Sequence, residues 1–352
     1  MLLLYQPHFT PTRRFAIILD MKILAIESSC DETACAVVKD GRHVLASVIS
    51  SQADFHAQYG GVIPEMAARQ HLDTINFVIE AALTQAGCRL EDVDAFAATL
   101  GPGLVGALLV GANAAKTLHY ITQKPFRGVN HLYAHVASNY LESDLAPPFI
   151  CLLISGGHTQ ILHVAEYTQI DILGETLDDA VGEAYDKIAR ILDLPYPGGP
   201  MLDKLAQTGN PKAYALPHGK TDHPFDFSYS GLKTATLRLY EREHVKPDVA
   251  ASFQEAATNI LVKKTMAAAE SLNLQTIAVA GGVAANSAVR QKFEAALAER
   301  PGWKLFVPQL KYCTDNAAMV AASAFFNPIT DDISMEVFSR TSPNTQTLHS
   351  QN

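Results

Sequence analysis

Apolar and polar positions alternate in a way that predicts two similar openings along the chain. Lys22–Ser29 (KILAIESS) is an apolar run ending in small polar residues and predicts a buried strand. Cys30-Asp31-Glu32-Thr33 turns the chain into a second strand over Cys35–Lys39, and Asp40-Gly41 leads to a third over His43–Ser51. A helix is predicted from Pro64, with Pro in its first turn, to Ala86, where Gly87 stops it. Asp94–Leu100 reads as a strand, and Gly101-Pro102-Gly103 leads into a small-residue helix over Leu104–His119. The pattern restarts at Phe149–Ser155, turns at Gly156-Gly157-His158-Thr159, and returns through Gln160–Glu166 and Ile170–Leu173 to a helix over Leu177–Leu192. Two three-strand openings, each followed by a helix, point to an internal duplication. After a Gly/Pro-rich turn, Pro195–Pro200, the pattern is irregular to Tyr229. Helices follow over Gly231–Tyr240 and Asp248–Leu272, a strand over Thr276–Ala280, a helix over Asn286–Glu299 and a strand over Lys304–Val307. The last helix ends near Phe326, and the polar tail from Asn327 is expected to be poorly ordered.

Between the two openings stand His131 and His135, four residues apart in a segment free of Gly and Pro until Pro147. At that spacing two imidazoles share one helix face and can share one divalent metal. The alternative is that one packs and the other is solvated. A zinc-protease motif is excluded, because Leu132 stands where that chemistry needs a glutamate base. A third ligand has to come from elsewhere in the chain. Asp315 would supply a hard oxygen, although at the start of the final helix it would also serve as an N-cap. Three glycine turns follow apolar strands: Gly101/Gly103, Ser155-Gly156-Gly157 and Gly281-Gly282. Each is either a plain turn or a place where backbone N–H groups meet an anion, and three of them in one α/β chain suggest a nucleotide or acyl-phosphate cleft. Asp31 lies in the first hairpin turn, where a carboxylate handles a metal, water or proton, or simply makes the turn. Asp186 has a surface ion pair with Lys187 as its plain reading.

Composition narrows the setting. The 352 residues are 48% hydrophobic and 18% charged, which describes a globular chain of about two domains. No run of eighteen apolar residues exists, so no membrane helix is expected. Residues 1–20 carry too short an apolar piece for a signal peptide and read as a loose extension or a misassigned start. Five scattered cysteines without a CxxC suit reduced thiols in a cytoplasm. A net charge of −9 argues against a surface that is a nucleic-acid footprint throughout. Lys233, Arg238, Arg242 and Lys246 form a local basic stretch that either meets phosphates or is a solvated helix face.

The motifs IESSCDETA (26–34), PEMAARQHL (64–72), GPGLVGALLVG (101–111), HLYAH (131–135) and SGGHTQ (155–160) come in that order. YPGGP (196–200), FSYSGLKTA (227–235), AGGVAAN (280–286) and YCTDNAAM (312–319) follow. Together they resemble the universal tRNA threonylcarbamoyladenosine transferase family, formerly described as sialoglycoprotein endopeptidases. Departures are small: Met66, Tyr133 and the extension before Met21. The resemblance implies an actin/sugar-kinase/Hsp70-like superfold of two duplicated α/β lobes about a nucleotide cleft. An N-terminal lobe over 21–130 would be completed by helix 315–326. A C-terminal lobe over 131–314 would carry an insertion near 195–247, with a tail over 327–352. It also implies a metal, iron or else zinc, on His131, His135 and Asp315. A substrate cradle falls on Leu153, Ile154, Ser155, Gly156, Gly157, Asp186, Gly199, Asp203 and Asn286. The implied reaction moves a threonylcarbamoyl group from threonylcarbamoyl-AMP to N6 of adenosine 37 in tRNAs reading codons that begin with A. Asp31 is the candidate for orienting the amine or taking its proton. Implied partners are tRNA, a non-catalytic paralogue of the same fold, a P-loop ATPase and a separate synthase for the adenylate. A metallopeptidase and an ATP-cycling chaperone of the same superfold are the other classes to weigh.

Overall fold

The structure, a computed structural model, describes residues 20–340; the expected extension before Asp20 and the last twelve residues lie outside it. The first half comprises β1 (Lys22–Glu27), β2 (Glu32–Lys39), β3 (His43–Ser51), α1 (Ala53–Ala57), α2 (Pro64–Ala86), β4 (Ala95–Gly101), α3 (Val105–Thr122), β5 (Phe126–Asn130) and α4 (His131–Ala137). The second comprises β6 (Phe149–Ile154), β7 (Thr159–Glu166), β8 (Gln169–Glu175), α5 (Val181–Ile191), α6 (Gly198–Ala206), α7 (Ser230–Glu243), α8 (Lys246–Ser271), β9 (Thr276–Ala280), α9 (Ser287–Ala298), β10 (Lys304–Phe306) and α10 (Ala317–Phe326).

The strands form two five-stranded sheets ordered β3-β2-β1-β4-β5 and β8-β7-β6-β9-β10. In each, three strands meander antiparallel and the next two join parallel to the first. The duplication expected from the hydrophobic pattern is therefore present strand for strand.

Both central strands are buried on two faces, which is why they read as continuous apolar runs. Leu24 and Ile26 of β1 point into a core with residues of α2 and α3, while Ile23 and Ala25 point the other way. That second core also receives Cys151 and Leu153 of β6, Ala278 and Ala280 of β9, and most of α4 and α10. The two short helices thus form a layer common to both sheets, and α4 carries the two histidines. The far side of the second sheet packs Ile150, Leu152 and Ile154 against α5 and α8.

Several elements differ from expectation. β5 is invisible to a pattern search because Arg127 and Gly128 interrupt its five residues. α6 begins inside the glycine/proline turn, at Gly198. α5 starts at Val181 rather than Leu177 because the preceding segment is pinned to the insertion. There Asp178 accepts from Ser228 Oγ at 2.6 Å, Tyr229 N at 2.7 Å and Ser230 Oγ at 2.7 Å. Residues 327–340 are not a loose tail. Ile329, Met335, Val337 and Phe338 pack on the first lobe's outer core, and Phe338 N donates to Leu100 O at 2.8 Å. Their apolar residues are spaced too irregularly to register as an element.

Candidate functional site

Two asparagines place the three expected ligands. Asn130 ends β5 and caps α4, its side-chain oxygen accepting from Leu132 N at 2.9 Å and Tyr133 N at 3.4 Å, so the helix begins at His131. Asn316 caps α10 by accepting from Met319 N at 2.9 Å. Asp315 is therefore not the cap and turns toward the histidines. Its Oδ1 lies 3.1 Å from His135 Nε2 and 3.6 Å from His131 Nε2. The candidate ligand atoms of the three residues all lie within 4.8 Å of one another. Both imidazoles are enclosed, with 13% and 2% of the His131 and His135 side chains exposed, so the reading with one solvated histidine fails.

The electrostatics are those of a cation held between carboxylates. Burial alone would lower His131, but the charges of Asp315 and Glu27 outweigh it and raise the imidazole to about 9. Burial alone would raise Asp315, but His131 and His135 hold it down at about 2. His135 Nδ1 is buried without a hydrogen-bond partner. Two imidazoles, one carboxylate and an excess of local negative charge suit a divalent ion of the iron or zinc type, with positions left open for other ligands. The residues fit that group.

Two acids escaped the sequence reading. Glu27, at the end of β1, is wholly buried and lies with Oε2 3.1 Å from His131 Nδ1. The signal was a charged residue closing an otherwise apolar strand. Glu32 opens β2, where burial and then the charges of Asp315 and Asp31 push it up to about 9. Asp31 stands beside it, so the two acids are neighbours at the first hairpin turn. Tyr196, from the turn before α6, is pushed up to about 12 by burial and then by the charges of Asp31 and Asp186, one acid from each half.

The remaining expected residues fall into three places. Leu153 and Ile154 are buried strand residues whose side chains belong to the cores, which leaves only their backbone for a ligand. At the turn that follows, Gly156 and Gly157 are exposed, and a Cβ at either would meet no atom within 4 Å. Burial and the nearby His131 and His135 drive His158 down to about 4, which ties this turn to the histidine pair. Asp186 does not pair with Lys187, which binds Asp179 and Glu183 at 2.7 and 2.9 Å. Instead Asp186 Oδ1 accepts from Gly199 N at 3.0 Å. Asp203 accepts from Gln254 Nε2 and Ser287 N, both at 3.0 Å, and from Ser287 Oγ at 2.8 Å. Asn286 caps α9 and donates to Gln254 Oε1 at 3.0 Å, so Asp203 and Asn286 share one network. Among the described residues no hydrogen bond or ion pair joins that network to the histidines.

The basic stretch is largely neutralised. Lys233 pairs with Asp179 at 2.6 Å, Arg242 with Glu243 at 2.6 Å, and Lys246 with Asp193 at 3.0 Å.

Comparison with known proteins gives the family of the chain. The family model for tRNA N6-adenosine threonylcarbamoyltransferase matches residues 43–322. The chain belongs to that family. A tRNA N6-adenosine threonylcarbamoyltransferase of Gloeothece citriformis is 53% identical over 315 residues, covering 86% of this chain and 90% of that one. One of Nostoc sp. is 54% identical over 315 residues with the same coverage. One of Symbiobacterium thermophilum is 51% identical over 310 residues, covering 86% and 91%. Solved structures share the fold at low identity. HypF of T. kodakarensis has a TM-score of 0.63 at 16% identity, covering 88% of this chain and 48% of that one. Component A of (R)-2-hydroxyglutaryl-CoA dehydratase from Acidaminococcus fermentans has a TM-score of 0.52 at 17% identity, covering 87% and 98%. With the two matching sheets they place the chain in the actin/sugar-kinase/Hsp70-like superfold. Neither the peptidase nor the chaperone reading is favoured. No helix among the described residues is long and apolar enough to cross a membrane.

Proposed function

We propose that this transferase moves the threonylcarbamoyl group from threonylcarbamoyl-AMP to the N6 amine of adenosine 37 in tRNAs reading codons that begin with A, releasing AMP. The observation that carries the reading is the His131, His135 and Asp315 set beside an open glycine turn, in a chain of this family. The N6 lone pair is delocalised into the purine, so the amine needs an activated acyl donor, and the mixed anhydride with AMP provides one. The amine attacks the carbamoyl carbon, the carbon–oxygen bond to the phosphate breaks, and AMP leaves with the electron pair. Asp31 takes the proton released from N6. The N–H groups of Gly156 and Gly157 bind the donor and offset charge developing on the carbamoyl oxygen.

His131, His135 and Asp315 would hold a divalent ion, iron first and zinc as the alternative. When bound, that ion supplies Lewis-acid polarisation of a donor oxygen. Asp186, Gly199, Asp203 and Asn286 complete the donor cradle, acting through the backbone of the first turn of α6 and through the Gln254 network. The target base lies in a single-stranded loop where it can be splayed out. In this reading residues 21–130 with helix 315–326 form one lobe and 131–314 the other. The protein works in the cytoplasm with a non-catalytic paralogue, a P-loop ATPase and a separate synthase that makes the adenylate. Reconstitution of the purified proteins with threonylcarbamoyl-AMP and unmodified tRNA, followed by nucleoside mass analysis, tests the proposal. Appearance of threonylcarbamoyladenosine is expected, and its absence with metal-replete, fully partnered protein would refute it.

A further inference from the structure

We infer that Glu27 is a positioning residue: its buried carboxylate fixes the tautomer and orientation of His131, so that Nε2 is the nitrogen offered to the metal. The inference rests on the metal-site reading above.

Burying a carboxylate costs several kcal/mol, roughly, unless donors compensate it. Glu27 has no exposed surface, yet it ends the central strand of the first sheet, where an apolar residue would pack at no such cost. Three groups compensate it. Ser29 N donates to Oε1 at 2.6 Å, Thr99 Oγ1 donates to Oε2 at 2.7 Å, and His131 Nδ1 lies 3.1 Å from Oε2. An ionised carboxylate only accepts, so the ring nitrogen facing it carries the hydrogen. That leaves Nε2, on the side of Asp315, as the nitrogen with a lone pair once the ring is neutral. Ser29 Oγ, 3.2 Å from the same Nδ1, is a second fixed neighbour. Glu27, Ser29 and Thr99 stand on β1, its following turn and the adjacent strand β4, so the ring is referenced to the rigid centre of the sheet rather than to its own seven-residue helix.

His135 is the internal contrast. Its Nδ1 is equally enclosed and has no partner, so nothing on the side away from Asp315 holds a hydrogen on that nitrogen. Hydrogen bonding from a carboxylate to a ligating imidazole raises its basicity and restricts its rotation, and loss of such a partner costs about 10–100-fold in metal affinity. In this protein that effect belongs to His131 alone.

The test uses the full chain, with Zn2+ affinity by competition and Co2+ absorption as a report on coordination. Glu27→Gln keeps the shape of the side chain and removes its charge. It is expected to weaken Zn2+ binding about 10–100-fold and to alter the Co2+ bands. Thr99→Val removes another donor to the same carboxylate; it is expected to lower the unfolding temperature of the metal-free protein while holding Zn2+ within about threefold of wild type. A ring-nitrogen spectrum of histidine-labelled, Zn2+-loaded wild type supplies a measurement that needs no variant, with His131 expected to be protonated at Nδ1. Wild-type affinity in Glu27→Gln, equal losses in both variants, or an unprotonated Nδ1 would each overturn the inference while the metal site stands. If the wild type itself takes up neither Zn2+ nor Co2+, the metal-site reading falls and this inference with it.

Discussion

The β1–β2 and β6–β7 hairpins occupy the same place in two sheets of identical strand order, yet their turns are built from opposite materials. The first turn, Ser28 to Glu32, is packed and acidic: Ser28 and Ser29 are buried, Glu27 lies beneath, and Asp31 and Glu32 stand at its rim. The second, Ser155 to His158, is exposed at Gly156 and Gly157 and carries no acid. One copy of the motif holds charge against histidines, and the other leaves bare backbone with space in front of it. In the proposed mechanism the two copies would form two walls of one cleft, one with a place for a cation and the other with a place for the anionic donor.

The largest effect should come from breaking the charged wall. Asp315→Asn is expected to lose the bound metal and to lower kcat/KM on the order of a thousandfold, the several kcal/mol a Lewis acid supplies. Compared metal-free and above pH 9, where His131 is neutral, its unfolding temperature should stay near that of the wild type, because Asn316 and not Asp315 caps α10. Elemental analysis beside calorimetry checks both halves of that statement.

The same wall predicts a pH dependence. His131 titrates near 6.5 in an unfolded chain and is raised to about 9 in the fold. Its charge therefore contributes stability fully below the first value, and metal-free protein should lose that contribution as pH rises through the second. Metal must displace the proton, so Zn2+ affinity should climb by up to about tenfold per pH unit between 7 and 9 and then level off. Isothermal titration at three pH values measures it, and proton uptake in place of release would have the sign wrong.

How much of this was legible in the chain depends on whether a feature is local. Strands with unbroken apolar runs, helices with glycine stops and the HxxxH pair are local, and they stand close to where periodicity put them. The short β5 strand was lost because its fit depends on pairing with β4 rather than on its own pattern. The role of Asp315 was ambiguous for a related reason. Cap and ligand ask for the same residue type, and only the neighbouring Asn316, which takes the cap, separates them. Glu27 looked like the end of a strand until the fold brought His131 to it from 104 positions away. The pairing within the basic stretch Lys233–Lys246 was only partly legible, since the partners of Lys233 and Lys246, Asp179 and Asp193, are remote in sequence.

A smaller effect sharpens the contrast within the glycine turns. Gly281 has φ +90° and a Cβ there would meet the Ile154 carbonyl oxygen, so Gly281→Ala should cost about 1–3 kcal/mol of stability. Chemical denaturation would show it. The smallest effect is expected at the neutralised basic stretch: Arg242→Ala or Lys246→Ala should change tRNA affinity by less than about twofold, because exposed pairs of this kind contribute little. A filter-binding loss of tenfold would restore the segment as an RNA contact.

The division of labour between the two turns is tested most directly at Gly157. Neither a positive φ nor a neighbouring atom requires glycine there, so Gly157→Ala should fold as the wild type does. Calorimetric titration of a non-hydrolysable threonylcarbamoyl-adenylate, with metal content and unfolding temperature recorded on the same sample, is the measurement. A donor site at this turn predicts full metal, an unchanged unfolding temperature and donor affinity reduced about tenfold, or about 1.4 kcal/mol. Unchanged donor affinity in a folded, metal-loaded Gly157→Ala protein would contradict it and move the donor site away from this turn.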